Sequence, residues 1–144
     1  QAGYSQLNTL GLVACQAAYE EGEPWLTELK KYLLENLDFS RDYIERNFRQ
    51  VSCTVKSVAD KVQIDRTYLY RLFKEETGFS VIEYINNCRI GRACTMLNNT
   101  NVQIKDVALS VGFSDQLYFS KVFRKLKGIT PTEYRKKHAN KKDA

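Results

Sequence analysis

No stretch of the sequence approaches the roughly 18 consecutive apolar residues that a membrane-spanning helix requires. The first residues, Gln1 to Tyr4, lack the basic and apolar regions of a secretory signal, so export is not expected. Histidine is nearly missing, with His138 the single copy in a charged tail. The four cysteines, Cys15, Cys53, Cys88 and Cys94, include no Cys-x-x-Cys pair. A zinc site needs closely spaced thiolates or imidazoles, so neither a metal nor another cofactor is expected. The thiols read instead as free and buried, in a reducing cytoplasm. What remains is a chain of 144 residues, 43% hydrophobic and 27% charged, ordinary for a globular protein with its own core.

The charge is unevenly divided. Residues 1–50 carry five Lys/Arg against eight Asp/Glu, and residues 51–144 carry seventeen against nine, so a net −3 is followed by a net +8. Such a step suggests a polyanion-binding part joined to something different.

The basic part repeats itself. Val58, Ala59 and Val62 recur 49 residues later as Val107, Ala108 and Val111. Past the next turn the offset becomes 50: Leu69, Leu72, Phe73, Gly78, Glu83 and Tyr84 match Phe119, Val122, Phe123, Gly128, Glu133 and Tyr134. Each copy has a short amphipathic helix, a tight turn (Gln63-Ile64-Asp65 or Gly112-Phe113-Ser114) and a second helix. Asp65 and Ser114 are the expected N-caps, and Gly78 and Gly128 the expected C-terminal stops. Two helices about such a turn, the second with a polar and basic outer face, form the helix-turn-helix pattern. Between the copies, residues 80–98 hold Val81, Tyr84, Ile85, Cys88, Ala93 and Leu97 at helical spacing. A linker helix of that length spans ~28 Å, near the ~34 Å between successive major-groove faces of B-DNA.

Further residues carry a family resemblance. Gly112-Phe113-Ser114-Asp115, Tyr118 to Lys125, Gly128-Ile129-Thr130-Pro131 and Glu133-Tyr134-Arg135 resemble the signature of AraC/XylS-type transcription regulators. The first copy agrees through Tyr68-Leu69, Arg71 to Lys74 and Glu76-Thr77-Gly78, and the linker through Arg89-Ile90, Ala93 and Met96-Leu97. The resemblance covers about residues 42–137. It implies two recognition helices in adjacent major-groove segments, with base-contacting positions at Arg66, Thr67, Tyr70 and Arg71, then Gln116, Leu117, Ser120 and Lys121. Arg71 suits guanine, Gln116 suits adenine, and Thr67 and Leu117 suit a thymine methyl, although Leu117 stands where a small polar residue is usual. Lys74 and Arg124, one turn on, are expected at phosphates. Arg89 and Arg92 are candidates for phosphate or for an internal salt bridge.

The acidic front end has no strand pattern. Leu7, Leu10, Ala14, Ala17 and Ala18 suggest a helix ended by Gly22, and Pro24 opens another whose stripe runs from Trp25, Leu26, Leu29, Leu33 and Leu37 to Ile44. Gly11-Leu12, Ala17-Ala18-Tyr19, Gly22, Trp25-Leu26, Tyr32-Leu33 and Asn36 to Phe39 resemble an inner piece of PLP-dependent cystathionine β-lyase-like enzymes of the aminotransferase fold. The Schiff-base lysine context, the pyridinium-binding aspartate strand and the phosphate-cradling loop are missing, so no catalysis is expected.

The expected fold is therefore all-α: an N-terminal α-hairpin over 1–41, two tandem helix-turn-helix units joined by a linker helix over 42–137, and a basic tail over 138–144; Lys136 and Lys137 just before it, with Lys141 and Lys142 inside it, are expected to add nonspecific charge. The expected function is sequence-specific binding of double-stranded DNA in transcription regulation, in the bacterial cytoplasm at the nucleoid. RNA polymerase, and a second copy of the chain through residues 1–41, are the further partners this reading admits. A helical scaffold with residual or no specific DNA binding is the alternative.

Overall fold

The computed structural model describes residues 23–139, and among them are seven helices and no strand. The first, α1 (Glu23–Asn47), starts with Pro24 in its opening turn, where a missing N–H costs no intrahelical bond. It passes without a break through Arg41 to Ile44, as the second arm of the expected hairpin should. The first arm, Leu7 to Ala18, lies outside the described residues. Burial deepens along α1: Leu26 is exposed, Leu29 and Leu33 are half-buried, and Leu37, Ser40 and Ile44 are buried. The Ser40 hydroxyl donates to the Asn36 carbonyl at 2.7 Å, which satisfies its polar group inside.

The chain divides into two compact units. The first, residues 1–44 and 55–81, contains most of α1 together with α2 (Val55–Val62) and α3 (Arg66–Thr77). Its buried side chains include Val58, Ala59 and Val62 of α2, Ile64 of the turn, and Leu69, Leu72 and Phe73 of α3. The second unit, residues 45–54 and 82–144, holds most of α4 (Val81–Asn99) with α5 (Ile104–Ser110), α6 (Gln116–Lys127) and α7 (Pro131–Ala139). The helix read as a linker is also a core element, because Ile90, Ala93, Cys94 and Leu97 pack with Val107, Ala108, Val111, Phe113, Phe119 and Phe123.

The repeat is visible in the backbone. Ile64 N–H donates to Ala59 O at 3.1 Å, and Phe113 N–H to Ala108 O at 3.0 Å. Gly78 and Gly128, both left-handed (φ 77° and 79°), close α3 and α6 by donating to Lys74 O and Arg124 O. Asp65 caps α3 as expected, accepting from Thr67 N–H at 2.9 Å and Tyr68 N–H at 3.3 Å. The second cap corrects the sequence reading: Asp115, not Ser114, accepts from Leu117 N–H at 2.9 Å. The additional residue of the second turn moves the cap by one, to the position 50 residues after Asp65.

Helix α7 went unread in the sequence. Thr130 and Glu133 form a capping box ahead of Pro131: Thr130 N–H donates to the Glu133 carboxylate at 2.8 Å, and Glu133 N–H to Thr130 Oγ1 at 3.2 Å. Lys136, Lys137 and His138 therefore sit on a helix rather than in a tail, and the His138 ring stacks on Tyr134 at 4.1 Å. The Thr130 N–H and hydroxyl hold the Glu133 carboxyl below its usual pKa. A depressed pKa stabilises the fold above the unfolded-state value, and this contribution is lost as pH falls through the folded value. Thr130→Ala is expected to cost about 1 kcal/mol in urea unfolding at pH 7, with the difference from the parent protein shrinking at acid pH.

Candidate nucleic-acid interface

A helix with one buried face must present the opposite one. On α3, burial of Leu69, Leu72 and Phe73 leaves Arg66, Thr67, Tyr70, Arg71 and Lys74 exposed, spaced so that they share the outer side. On α6, burial of Phe119 and Phe123 leaves Gln116, Leu117, Lys121 and Arg124 exposed, with Ser120 half-buried at the edge. Leu117 is 76% exposed, a large aliphatic side chain with most of its surface in water. The two caps fix the N-terminal turns that carry Arg66, Thr67, Gln116 and Leu117. Seven of the eight expected base-contacting residues are thus exposed on two capped helices, and Ser120 is half-buried at the edge of α6.

The two faces differ in charge. Beyond Lys74, α3 continues with Glu75 and Glu76, whereas α6 continues past Arg124 with Lys125 and Lys127 and has no acidic residue. The aromatic side chains behind α6 are closely packed: Phe113–Phe119, Phe119–Phe123 and Phe123–Tyr134 have ring centroids 5.3, 5.7 and 5.4 Å apart. Such contacts hold the helix from its buried side.

Of the four expected phosphate contacts, Lys74, Arg124 and Arg92 are exposed and Arg89 is not. Arg89 is 6% exposed. Its Nε–H donates to Phe48 O at 2.7 Å, and one terminal nitrogen donates to Gln50 O and Cys53 O, both at 3.0 Å. The guanidinium carbon lies 5.4 Å from the Phe113 ring centre. Burial pulls the Arg89 pKa below its usual value, with the nearby Cys53 and Tyr118 opposing the shift. These bonds tie α4 to the segment after α1, and the ring contact ties it to the second turn; of the two roles open to Arg89 the internal one is seen, made to carbonyls rather than as a salt bridge, and the phosphate contact is not. The signal was present in the sequence: Val81, Ile85, Arg89, Ala93 and Leu97 follow one another at steps of four along a single buried stripe.

Gly112 completes the brace. A Cβ there would lie 2.5 Å from Phe48 O and 2.8 Å from Arg89 Nε. Cys53 and Cys94 are buried free thiols and Cys88 is a half-buried one. Burial is the main cause that pushes the Cys53 and Cys88 thiols up, away from the reactive thiolate. Among the described residues no group of His, Cys, Asp and Glu could hold a metal ion, and no helix is long and apolar enough to cross a membrane.

A family model described as a helix-turn-helix domain matches residues 58–137, which span both copies of the repeat. The arabinose operon regulatory protein of Escherichia coli (strain K12) is 38% identical over 93 residues, 65% of this chain and 32% of that protein. The chain belongs to the AraC/XylS-type helix-turn-helix family. Within that family the lactose operon transcription activator of Staphylococcus xylosus is 40% identical over 101 residues, 70% of this chain and 36% of that protein. The solved C-terminal domain of AraT, a response regulator from Geobacillus stearothermophilus, aligns with a TM-score of 0.68 at 34% identity. The alignment covers 71% of this chain and 84% of that domain. The chain spans about a third of the length of the curated relatives it matches.

Proposed function

We propose that this chain binds double-stranded DNA sequence-specifically and regulates transcription, with α3 and α6 as recognition helices in adjacent major-groove segments. The observation that carries the proposal is the pair of capped helices, each buried on one side and presenting a polar, basic face on the other. Arg66, Thr67, Tyr70 and Arg71 read bases from α3, and Gln116, Leu117, Ser120 and Lys121 from α6; Lys74, Arg92 and Arg124 meet phosphates. The relatives are operon regulators by name, which supports the same reading.

The test compares two neighbours on α3. Arg71→Ala should relax base preference at one position at a cost of about 1–3 kcal/mol, measured by competition between duplexes. Lys74→Ala should weaken all sequences alike and lower the salt slope by about one. A uniform loss from Arg71→Ala would remove it from the base-reading set. With no acidic residue among its cations, α6 contributes the larger share of the salt dependence.

The remaining parts of the proposal follow from this role. The double helix-turn-helix domain runs over 42–137, acts in the cytoplasm without catalytic activity, and engages RNA polymerase when bound. Residues 1–41 serve as a helical scaffold derived from a PLP-dependent enzyme fragment and offer a surface for a second copy. The residues quoted for that fragment support it; of them, Trp25-Leu26, Tyr32-Leu33 and Asn36 to Phe39 lie on α1, and those before Glu23 lie outside the described residues.

A further inference from the structure

Met96 is the single methionine of the chain and lies in the last turn of α4. Its carbonyl accepts from the Thr100 N–H at 2.9 Å and the Thr100 hydroxyl at 2.8 Å, which fixes the backbone there. The side chain is half-buried and packs against the core of the second unit, which includes Leu97, Val107, Phe119 and Phe123. Its sulfur lies 3.3 Å from the hydroxyl of Ser110, an exposed residue at the end of α5. That hydroxyl also reaches the Val107 carbonyl, at 2.8 Å. It has one proton to give, and the carbonyl takes it more readily because a thioether is a weak acceptor. The sulfur thus sits at the rim of the core, beside a hydroxyl on the surface.

Burial acts differently on the sulfurs of this unit. A thiol reacts as the thiolate, and burial is the main cause that keeps Cys53 and Cys88 protonated. A thioether has no proton to lose, so the same surroundings leave its lone pairs reactive wherever an oxidant reaches them. We propose that Met96 is an oxidation site, at which hydrogen peroxide converts the thioether to its sulfoxide and loosens the second unit.

The sulfur attacks one peroxide oxygen, and the S–O bond forms as the O–O bond breaks. Two electrons pass from sulfur to the peroxide, whose other oxygen leaves as water after proton transfer. A polar group and strong acceptor then stands where a flexible apolar one packed. It competes with Val107 O for the Ser110 proton, so one of the two acceptors loses its donor. The packing of α4 on α5 weakens, in the core that also holds Phe119 and Phe123 of α6. A looser α6 binds DNA less well. That consequence rests on the DNA-binding reading, whereas the oxidation and the loss of stability do not and are measured without DNA.

The full chain is treated with hydrogen peroxide while folded, then with dithiothreitol, which returns disulfides and sulfenic acids to thiols and leaves a sulfoxide in place. Tandem mass spectrometry should place one added oxygen on Met96. Urea unfolding should then show the ratio of unfolded to folded chain raised about fivefold or more. Met96→Leu, a swap of similar volume, should keep its unfolding curve through the same treatment. Methionine sulfoxide reductases should restore the curve of the oxidised parent. Oxygen gained at Met96 only in unfolding urea would show the sulfur to be shielded. A fully oxidised Met96 that changes the ratio by less than about twofold would show that its place carries no weight. An equal loss in Met96→Leu would put the damage elsewhere. Any of these results overturns the proposal.

Discussion

Replacing Arg89 with alanine is expected to destabilise the second unit by about 2–4 kcal/mol, from buried carbonyls left without a donor and from lost packing. The guanidinium satisfies three carbonyls, those of Phe48, Gln50 and Cys53, and faces the Phe113 ring. Alanine leaves those oxygens without their donor and opens a cavity beside Phe113. Arg89→Lys should recover only part of the loss, because a single ammonium on a flexible stem does not reproduce a planar fork that spans three acceptors. Urea unfolding followed by circular dichroism measures both variants. A loss under 1 kcal/mol for Arg89→Ala would mean that the brace contributes little.

The second large effect is expected from Gly112→Ala, at roughly 3 kcal/mol or more, through two causes acting together. The backbone there has φ 104°, a region that residues with a Cβ seldom adopt, and the added carbon would meet Phe48 O at 2.5 Å. That obstacle is backbone, and it is held in place by Arg89. Gly128→Ala provides the contrast. Its φ is 79° and nothing lies within 4 Å of the added carbon, so only the left-handed cost of about 1–2 kcal/mol applies. Equal losses from the two substitutions would show that conformation alone, and not the crowding at Phe48, sets the requirement for glycine at 112.

Much of this arrangement was legible in the sequence. The offsets of 49 and 50 located both turns, and Gly78 and Gly128 marked the helix ends because a left-handed stop favours glycine. The outer faces of α3 and α6 followed from which residues had to be buried. Three features were missed for physical reasons. The cap at Asp115 was assigned to its neighbour because Ser114 is itself a good capping residue, and only register with Asp65 separates them. Helix α7 is short and weakly amphipathic, and its signal was the Thr130–Glu133 capping box rather than a hydrophobic period. Arg89 was left between a phosphate and an internal salt bridge, although its place on the Val81–Leu97 stripe put it inside. Its partners, the carbonyls of residues 48–53, lie some forty positions away, and no local pattern announces them.

The most direct test of the central claim is selection of the full chain against a pool of randomised duplexes at moderate salt, close to the physiological value. The account predicts an enriched sequence whose affinity falls steeply as salt rises, and whose positions respond separately to Arg71→Ala on α3 and Gln116→Ala on α6. Retention of duplexes with no sequence enriched would contradict it, leaving two basic helices that hold DNA through charge alone or a helical scaffold that does not read it.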